Sequence, residues 1–142
     1  MGTLTRGARM AVTVAALLAL GVFLTAPVPT AGHGECWTST VTGPWKNPNG
    51  TIGGGADSRC STPVDWLDTD VRLLRKIGSY WSTVALGQFG KTYEATYDYD
   101  SVTPYTCVAA YYKVQAFATW REGHIDTHVG STLTSPVRWI SC

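Results

Sequence analysis

Four cysteines, all downstream of an apolar run near the N-terminus, constrain the fold of this chain more than any other feature. They are Cys36, Cys60, Cys107 and Cys142. An even number of cysteines in a short exported sequence predicts two disulfides, because a domain of this size buries little apolar surface and gains stability from covalent links. We therefore expect a small domain that is stapled by two disulfides and folds outside the cytosol.

The first 31 residues have the pattern of a secretory signal peptide. Arg6 and Arg9 supply a positive start, residues 10–26 are mostly apolar, and residues 26–32 are mostly small residues and prolines. An apolar run of this length lies at the lower limit for a membrane-spanning helix, so the pattern favours a cleaved leader over an anchor. We predict a signal peptide over residues 1–31, a secreted extracellular protein, and no membrane association after cleavage.

The charge of the remaining chain excludes several classes of partner. All ten acidic residues and nine of the eleven basic residues lie beyond the leader, so the exported part is close to neutral. Nucleic-acid binding needs a basic surface that displaces counterions, and binding to an anionic membrane surface needs clustered cations. We predict neither nucleic acid nor membrane as a partner.

Composition divides the exported part into two segments of one domain. Residues 32–68 contain many turn signals, including Gly43-Pro44, Asn49-Gly50 and the glycine triplet at 53–55. This pattern predicts a loop-rich N-terminal segment with at most two short strands, and we interpret the triplet as a flexible turn. Residues 69–142 are predicted to form the β-sandwich core.

The pattern from residue 69 onward is that of an all-β domain. Alternating and β-branched residues predict a hairpin over 71–86, a half-exposed strand over 91–99, and a long strand over 105–120 with a bend near Ala109 and Ala110. Shorter strands follow at 125–129 and 136–142. A helix ending before Gly78 is the alternative for residues 64–76. The predicted core face of the long strand carries Val108, Ala110, Tyr112, Val114, Ala116, Ala118 and Trp120.

Three disulfide pairings are open to four cysteines. We predict Cys36 with Cys60 and Cys107 with Cys142, because each pair joins neighbours among the four and the second ties the long strand to the last one. The alternative joins Cys60 to Cys107 and Cys36 to Cys142.

Two motifs resemble known secreted sandwiches. The run Thr103-Pro104-Tyr105-Thr106-Cys107 resembles the tyrosine corner of immunoglobulin-like and fibronectin-like domains. The hairpin, with its pattern V-x-L-x-R followed by W-x-T-V-A, resembles small secreted actinobacterial domains of that architecture. The resemblance implies an immunoglobulin-like β-sandwich. The size, leader and four cysteines are similar to those of adaptor subunits of umbrella-type antibacterial toxin particles, which implies a role in bacterial competition and other secreted subunits as partners.

The sequence lacks the motifs of common catalytic sites. It has no Gly-x-Ser-x-Gly elbow, and the acids Asp65, Asp68 and Asp70 lie too close along one segment to flank a glycosidic bond. We predict a protein that is not an enzyme and needs no cofactor. His124, Asp126 and His128 alternate as a three-ligand zinc set would, but a solvated polar hairpin is the favoured interpretation, so no metal site is predicted.

The aromatic content indicates a binding function. Six tryptophans and seven tyrosines lie beyond the leader, more than a small core can bury. We predict a non-catalytic protein-binding module, with a carbohydrate-binding module or a protease inhibitor using residues 59–63 as alternatives. We predict two partner-binding regions. The first is an N-terminal segment that is disordered until it binds in extended form and consists of Gly32, His33, Gly34 and Glu35. The second is a tyrosine platform that consists of Tyr93, Tyr97, Tyr99 and Tyr111.

Overall fold

The structure is all-β, as the sequence predicted. The computed structural model describes residues 34–88, 90–123 and 126–142, and these residues contain strands and no helix. The helix considered for residues 64–76 is therefore wrong. The predicted signal peptide, Gly32, His33 and His124 lie outside the described residues. The strands are β1 (Cys36–Lys46), β2 (Thr51–Ile77), β3 (Tyr80–Leu86), β4 (Thr92–Ser101), β5 (Tyr105–Thr106), β6 (Ala110–Glu122), β7 (Asp126–Val129), β8 (Leu133–Thr134) and β9 (Arg138–Ile140).

The 27-residue strand β2 organises the whole sheet. Its N-terminal half pairs with β1 and β4, and the pairing with β4 continues to Leu67. Its C-terminal half pairs with β6 and, from Arg72 onward, also with β3, and all of these pairs are antiparallel. The pairing with β4 shifts in register between Arg59 and Val64, where the two halves of β2 meet. Among the described residues, β2 thus takes part in most of the strand pairing, and β6 adds the pairing with β7, β8 and β9.

The main core forms where the two halves of β2 pack against each other. Ile52 and Ala56 of the N-terminal half share one buried cluster with Val71 and Leu73 of the C-terminal half and with Val114 of β6. Burying such apolar side chains contributes about 1.5–3 kcal/mol each for the larger ones. A second cluster surrounds the first disulfide and includes Leu67 and Trp120.

The prediction that residues 32–68 are mostly loop is wrong. Residues 36–46 and 51–68 are strand, and the glycine triplet interpreted as a flexible turn lies inside β2. The glycines have a packing role: a Cβ added at Gly54 would lie 2.5 Å from Cγ2 of Val114 in the core. Glycine here permits close approach of the two halves of the sheet.

Several local predictions for residues 69–142 are confirmed. The β2–β3 hairpin turns through Gly78, whose φ of 61° favours glycine, and Ser79. The long strand breaks between Thr106 and Ala110, near the predicted bend. The alternate residues from Tyr112 to Trp120 are buried, as predicted. Val108 is 46% exposed, so its assignment to the core is wrong, because the alternation ends at the break.

Both predicted disulfides are present. Cys36–Cys60 is buried and links β1 to β2, whereas Cys107–Cys142 joins a half-buried cysteine to an exposed one. Two disulfides fit an extracellular or otherwise oxidising environment. The part of the chain that the structure describes contains no helix with the length and apolarity needed to cross a bilayer.

Two tyrosines near the break make different hydrogen bonds. The hydroxyl of Tyr105 accepts a hydrogen bond from Nη1 of Arg75 at 3.0 Å. The buried Tyr112 donates its hydroxyl to the carbonyl of Val108 at 2.6 Å, reaching back along the chain. The upstream main-chain hydrogen bond typical of a tyrosine corner is thus made by Tyr112, and not by the Tyr105 that the sequence suggested.

Candidate functional site

Aromatic rings cover the outer side of the glycine triplet. Alternate residues of β2 face opposite sides of the sheet, so Gly53 and Gly55 face outward where Gly54 faces the core. A Cβ on Gly53 would lie 2.7 Å from Nε1 of Trp45, and a Cβ on Gly55 would lie 2.6 Å from the hydroxyl oxygen of Tyr99. Both glycines are buried although they have no side chain, because these rings lie on them.

A second row of side chains continues this outer surface along β2. Arg59 pairs with Trp37 of β1 on one side and with Tyr97 of β4 on the other, so the three side chains share one side of the sheet. The guanidinium carbon of Arg59 lies 5.6 Å from the centroid of the Tyr97 ring, and its Nε lies 3.7 Å from Oδ2 of Asp57. The contacts with the ring and the carboxylate orient the arginine.

We call these five residues, Trp37, Trp45, Arg59, Tyr97 and Tyr99, the aromatic face. The four rings are between 37% and 54% exposed, so each is partly supported by the sheet and partly open to solvent. Asn47 accepts a hydrogen bond from Nε1 of Trp45 at 2.9 Å, which fixes the indole. Strands β1, β2 and β4 hold this surface, and glycine leaves room for the rings of Trp45 and Tyr99.

The predicted tyrosine platform is only partly assembled. Tyr97 and Tyr99 lie together on the aromatic face. Tyr93 is 70% exposed but pairs with Trp66 beyond a backbone irregularity, where Glu94 has a φ of 49°. The ring of Tyr111 packs edge-on against Trp139, with centroids 4.9 Å apart, on β6 and β9.

Sequence reasoning missed three members of the aromatic face. Trp37, Trp45 and Arg59 lie in the segment that was expected to be mostly loop, so their side chains had no predicted face. The signal that could have found them is the glycine triplet beside a tryptophan-rich segment. Glycine inside a strand often marks a site where another group approaches the backbone closely.

The predicted N-terminal docking segment is partly attached to the domain. Gly34 is buried, and its N–H donates to Oε2 of Glu122 at 2.6 Å. The N–H of Glu35 donates to Oγ of Ser61 at 3.1 Å, and the carbonyl of Glu35 accepts from the N–H of Ser61 at 2.9 Å. The expectation that Gly34 and Glu35 are disordered is therefore wrong, because β6 offers Gly34 a carboxylate and β2 offers Glu35 both main-chain and side-chain partners.

The residues considered as metal ligands are only partly described. His128 stacks on Trp120 with ring centroids 5.4 Å apart, and Asp126 is exposed at the start of β7. Over residues 34–88, 90–123 and 126–142, no three side chains of the ligating types are grouped closely enough to hold a metal ion.

Carboxylates cluster beside β4, away from the aromatic face. Asp98 is buried and accepts hydrogen bonds from the N–H of Thr69 at 2.8 Å and from Oγ1 of Thr92 at 2.5 Å. Burial, together with the neighbouring carboxylates, raises the pKa of Asp68 and of Asp100 above its ordinary value. These groups destabilise one another when all are ionised.

Comparison with known proteins gives no matching family model, no similar curated protein and no similar solved structure. The function proposed below is therefore based on the geometry of the described residues. Its most distinctive feature is the aromatic face on β1, β2 and β4.

Proposed function

We propose that this protein is a secreted, non-catalytic protein-binding module and that the aromatic face is its binding surface. The observation that carries the proposal is the placement of two tryptophans, two tyrosines and an arginine side by side on three paired strands. Trp, Tyr and Arg are the residue types that dominate the free energy of association at protein interfaces. Their clustering on one exposed side of the sheet supports a protein partner.

The rigidity of the aromatic face adds to this support. The rings of Trp45 and Tyr99 rest on backbone, and Arg59 is held between a ring and a carboxylate. Side chains that are already ordered lose less rotamer entropy when a partner binds, a cost of about 0.5–1.5 kcal/mol for each long side chain that must be immobilised. A preformed surface of this kind favours tight binding over a small area.

The finer part of the proposal is an adaptor or structural subunit of a secreted, toxin-type assembly. An adaptor binds other secreted subunits through separate surfaces, and it needs no catalytic residue. Small size, two disulfides and a rigid exposed surface are compatible with that role.

Affinity purification from native culture supernatant tests the proposal. The tagged protein should recover a stoichiometric partner, and Trp37→Ala should weaken recovery, because truncation of an interface hot spot costs about 2 kcal/mol or more, roughly a thirtyfold change in Kd. Trp139→Ala is the matched control, since Trp139 is also exposed but lies on β9, outside the aromatic face. Equal melting temperatures would show that both variants fold. Loss of the partner with Trp139→Ala and full recovery with Trp37→Ala would contradict the proposal.

A carbohydrate-binding module is the second candidate, and one observation favours it. The rings of Trp45 and Tyr99 lie against glycine backbone with an open side, and a flat, exposed aromatic ring can also stack on a sugar ring. Depletion of the protein from solution by insoluble cellulose, chitin or peptidoglycan, abolished by Trp45→Ala, would select this function. Recovery of a stoichiometric protein partner without polysaccharide binding would select the first.

The geometry gives less support to a protease inhibitor. Such an inhibitor needs an extended loop that enters a protease cleft, and residues 59–63 were the candidate. These residues belong to β2, and Arg59 is paired on both sides. A protease titration without inhibition would agree with this assignment.

A further inference from the structure

Strand β3 forms an open edge of the sheet. Within the described residues, β3 pairs with β2 alone. Only the C-terminal end of its other edge has a main-chain partner there, because the carbonyl of Leu86 accepts a hydrogen bond from the N–H of Thr103 at 2.9 Å. In an antiparallel ladder, every second residue of an edge strand directs its N–H and C=O away from the partner strand. Residues 80–83 therefore present main-chain groups to which another strand can bond.

The sequence of β3 lacks two of the usual protections of an exposed edge, charged residues and proline. Natural edge strands are commonly blocked by charged residues, proline or bulges. The seven residues YWSTVAL contain no charge and no proline. The pairing with β2 passes from Ala85 to Thr83 and leaves Val84 as an extra residue, a bulge on β3, so the regular open edge is residues 80–83. An open, uncharged edge of this kind is a template for strand addition.

Two cations flank this edge at one aromatic ring. Lys76 pairs directly with Trp81 of β3. Lys113 of β6 reaches across β2, and its Nζ lies 4.5 Å from the centroid of the Trp81 ring. In the part of the chain that the structure describes, neither lysine forms an ion pair with a carboxylate. The side of the sheet that carries the Trp81 ring is therefore positively charged next to β3, although β3 itself has no charged residue.

We propose that β3 accepts an extended acidic segment of a partner protein as an additional strand. The main chain of that segment bonds to residues 80–83, and the carboxylates on the same side of the sheet as Trp81 pair with Lys76 and Lys113. The positive edge selects an acidic segment over a second copy of this chain, since edge-to-edge pairing of two copies brings a second set of lysines to the same side. This site lies on β3 and does not depend on the aromatic face.

Peptide binding by the secreted protein tests this proposal. The probe is a fluorescein-labelled ten-residue peptide of alternating Glu and Val, followed by fluorescence anisotropy at low salt. We expect saturable binding, and a rise in Kd of about fivefold when Lys76→Gln and Lys113→Gln are combined, since exposed ion pairs contribute modestly. Lys91→Gln is the matched control, because Nζ of Lys91 lies 4.1 Å from the ring of Trp66 beside β4, away from the edge. The control should bind as the wild type does.

Two further peptides separate strand addition from charge alone. A peptide of alternating Lys and Val should not bind, and an acidic peptide with proline at alternate positions should bind at least tenfold more weakly, because proline cannot donate main-chain hydrogen bonds. Equal binding of the proline peptide, binding of the lysine peptide, or no binding of the acidic peptide would each overturn the proposal. A concentration-dependent dimer in sedimentation that Lys76→Gln strengthens would assign the edge to a second copy instead.

Discussion

Replacement of Gly54 by alanine tests how the N-terminal half of β2 packs against β6. The added Cβ would lie 2.5 Å from Cγ2 of Val114, a side chain with no exposed surface. Carbon atoms pack favourably at about 3.5–4.0 Å, so one side of the sheet must move by roughly an ångström. Gly54→Ala should therefore destabilise the protein even though alanine restricts the unfolded chain more than glycine does.

The size of the loss follows from two opposing contributions. Overpacking a core by one methyl group costs about 1–3 kcal/mol. The reduced entropy of the unfolded chain offsets about 0.4–1 kcal/mol of that cost. We expect a net decrease of about 1–2 kcal/mol in the free energy of unfolding, which lowers Tm by roughly 5–10 °C in a domain of this size.

A double-mutant cycle in urea isolates the contact. Val114→Ala alone should cost about 1–3 kcal/mol through the cavity that it leaves. In the double variant, the methyl group at position 54 occupies part of that cavity. The loss of unfolding free energy in the double variant should therefore be about 1 kcal/mol smaller than the sum of the losses in the two single variants. Gly55→Ala is the matched control: its Cβ would lie 2.6 Å from the hydroxyl oxygen of Tyr99 and 3.1 Å from the carbonyl oxygen of Asp100. It should lose less stability, because the ring of Tyr99 is 54% exposed and can be displaced towards solvent, whereas Val114 is fully buried. Additive losses, or a stabilising Gly54→Ala, would refute the close packing of the N-terminal half of β2 against β6.

Two further predictions concern the disulfides and the carboxylates. Limited reduction should open Cys107–Cys142 before Cys36–Cys60, as followed by alkylation and mass spectrometry. The reason is that the attacking thiolate needs access to the disulfide, and Cys142 is exposed whereas Cys36 and Cys60 are buried. The reverse order would contradict this prediction. Asp68→Asn should raise Tm at pH 7 by about 1–5 °C, since a partly exposed charge interaction is worth about 0.2–1 kcal/mol. A raised folded-state pKa means that the charged form destabilises the fold, so this gain should shrink as the pH falls from the raised pKa towards the unfolded value. Asp65→Asn, an exposed control, should change Tm less, and equal gains would argue against coupling among the clustered carboxylates.

The strands that could be predicted are those whose pattern is local. The alternation in β6 placed Tyr112 and Val114 in the core because side chains of a strand alternate between two faces. The β2–β3 hairpin followed from Gly78 between two β-branched runs. The disulfide pairing followed from sequence proximity, which brings the ends of short paired segments together.

The strand at residues 51–60 could not be predicted, because its stability is non-local. Gly53 and Gly55 signal a turn when they are considered alone, yet Trp45 and Tyr99 from two other strands cover them. The aromatic face was missed for the same reason, as its members converge only when β1 and β4 pair with β2. Gly34 was expected to be disordered because its segment is rich in glycine, lacks apolar residues and precedes the first cysteine. Its hydrogen-bond partner, Glu122, is distant in sequence, so local composition does not reveal it.

Site-specific photocrosslinking tests the central claim, that the aromatic face binds a protein partner, most directly. A benzophenone side chain placed at Tyr97, on the aromatic face, is compared with one placed at Tyr111, an exposed tyrosine on β6. On illumination in native culture supernatant, we predict a crosslinked partner from position 97 and none from position 111. A partner crosslinked from position 111 alone would contradict the assignment of the binding surface.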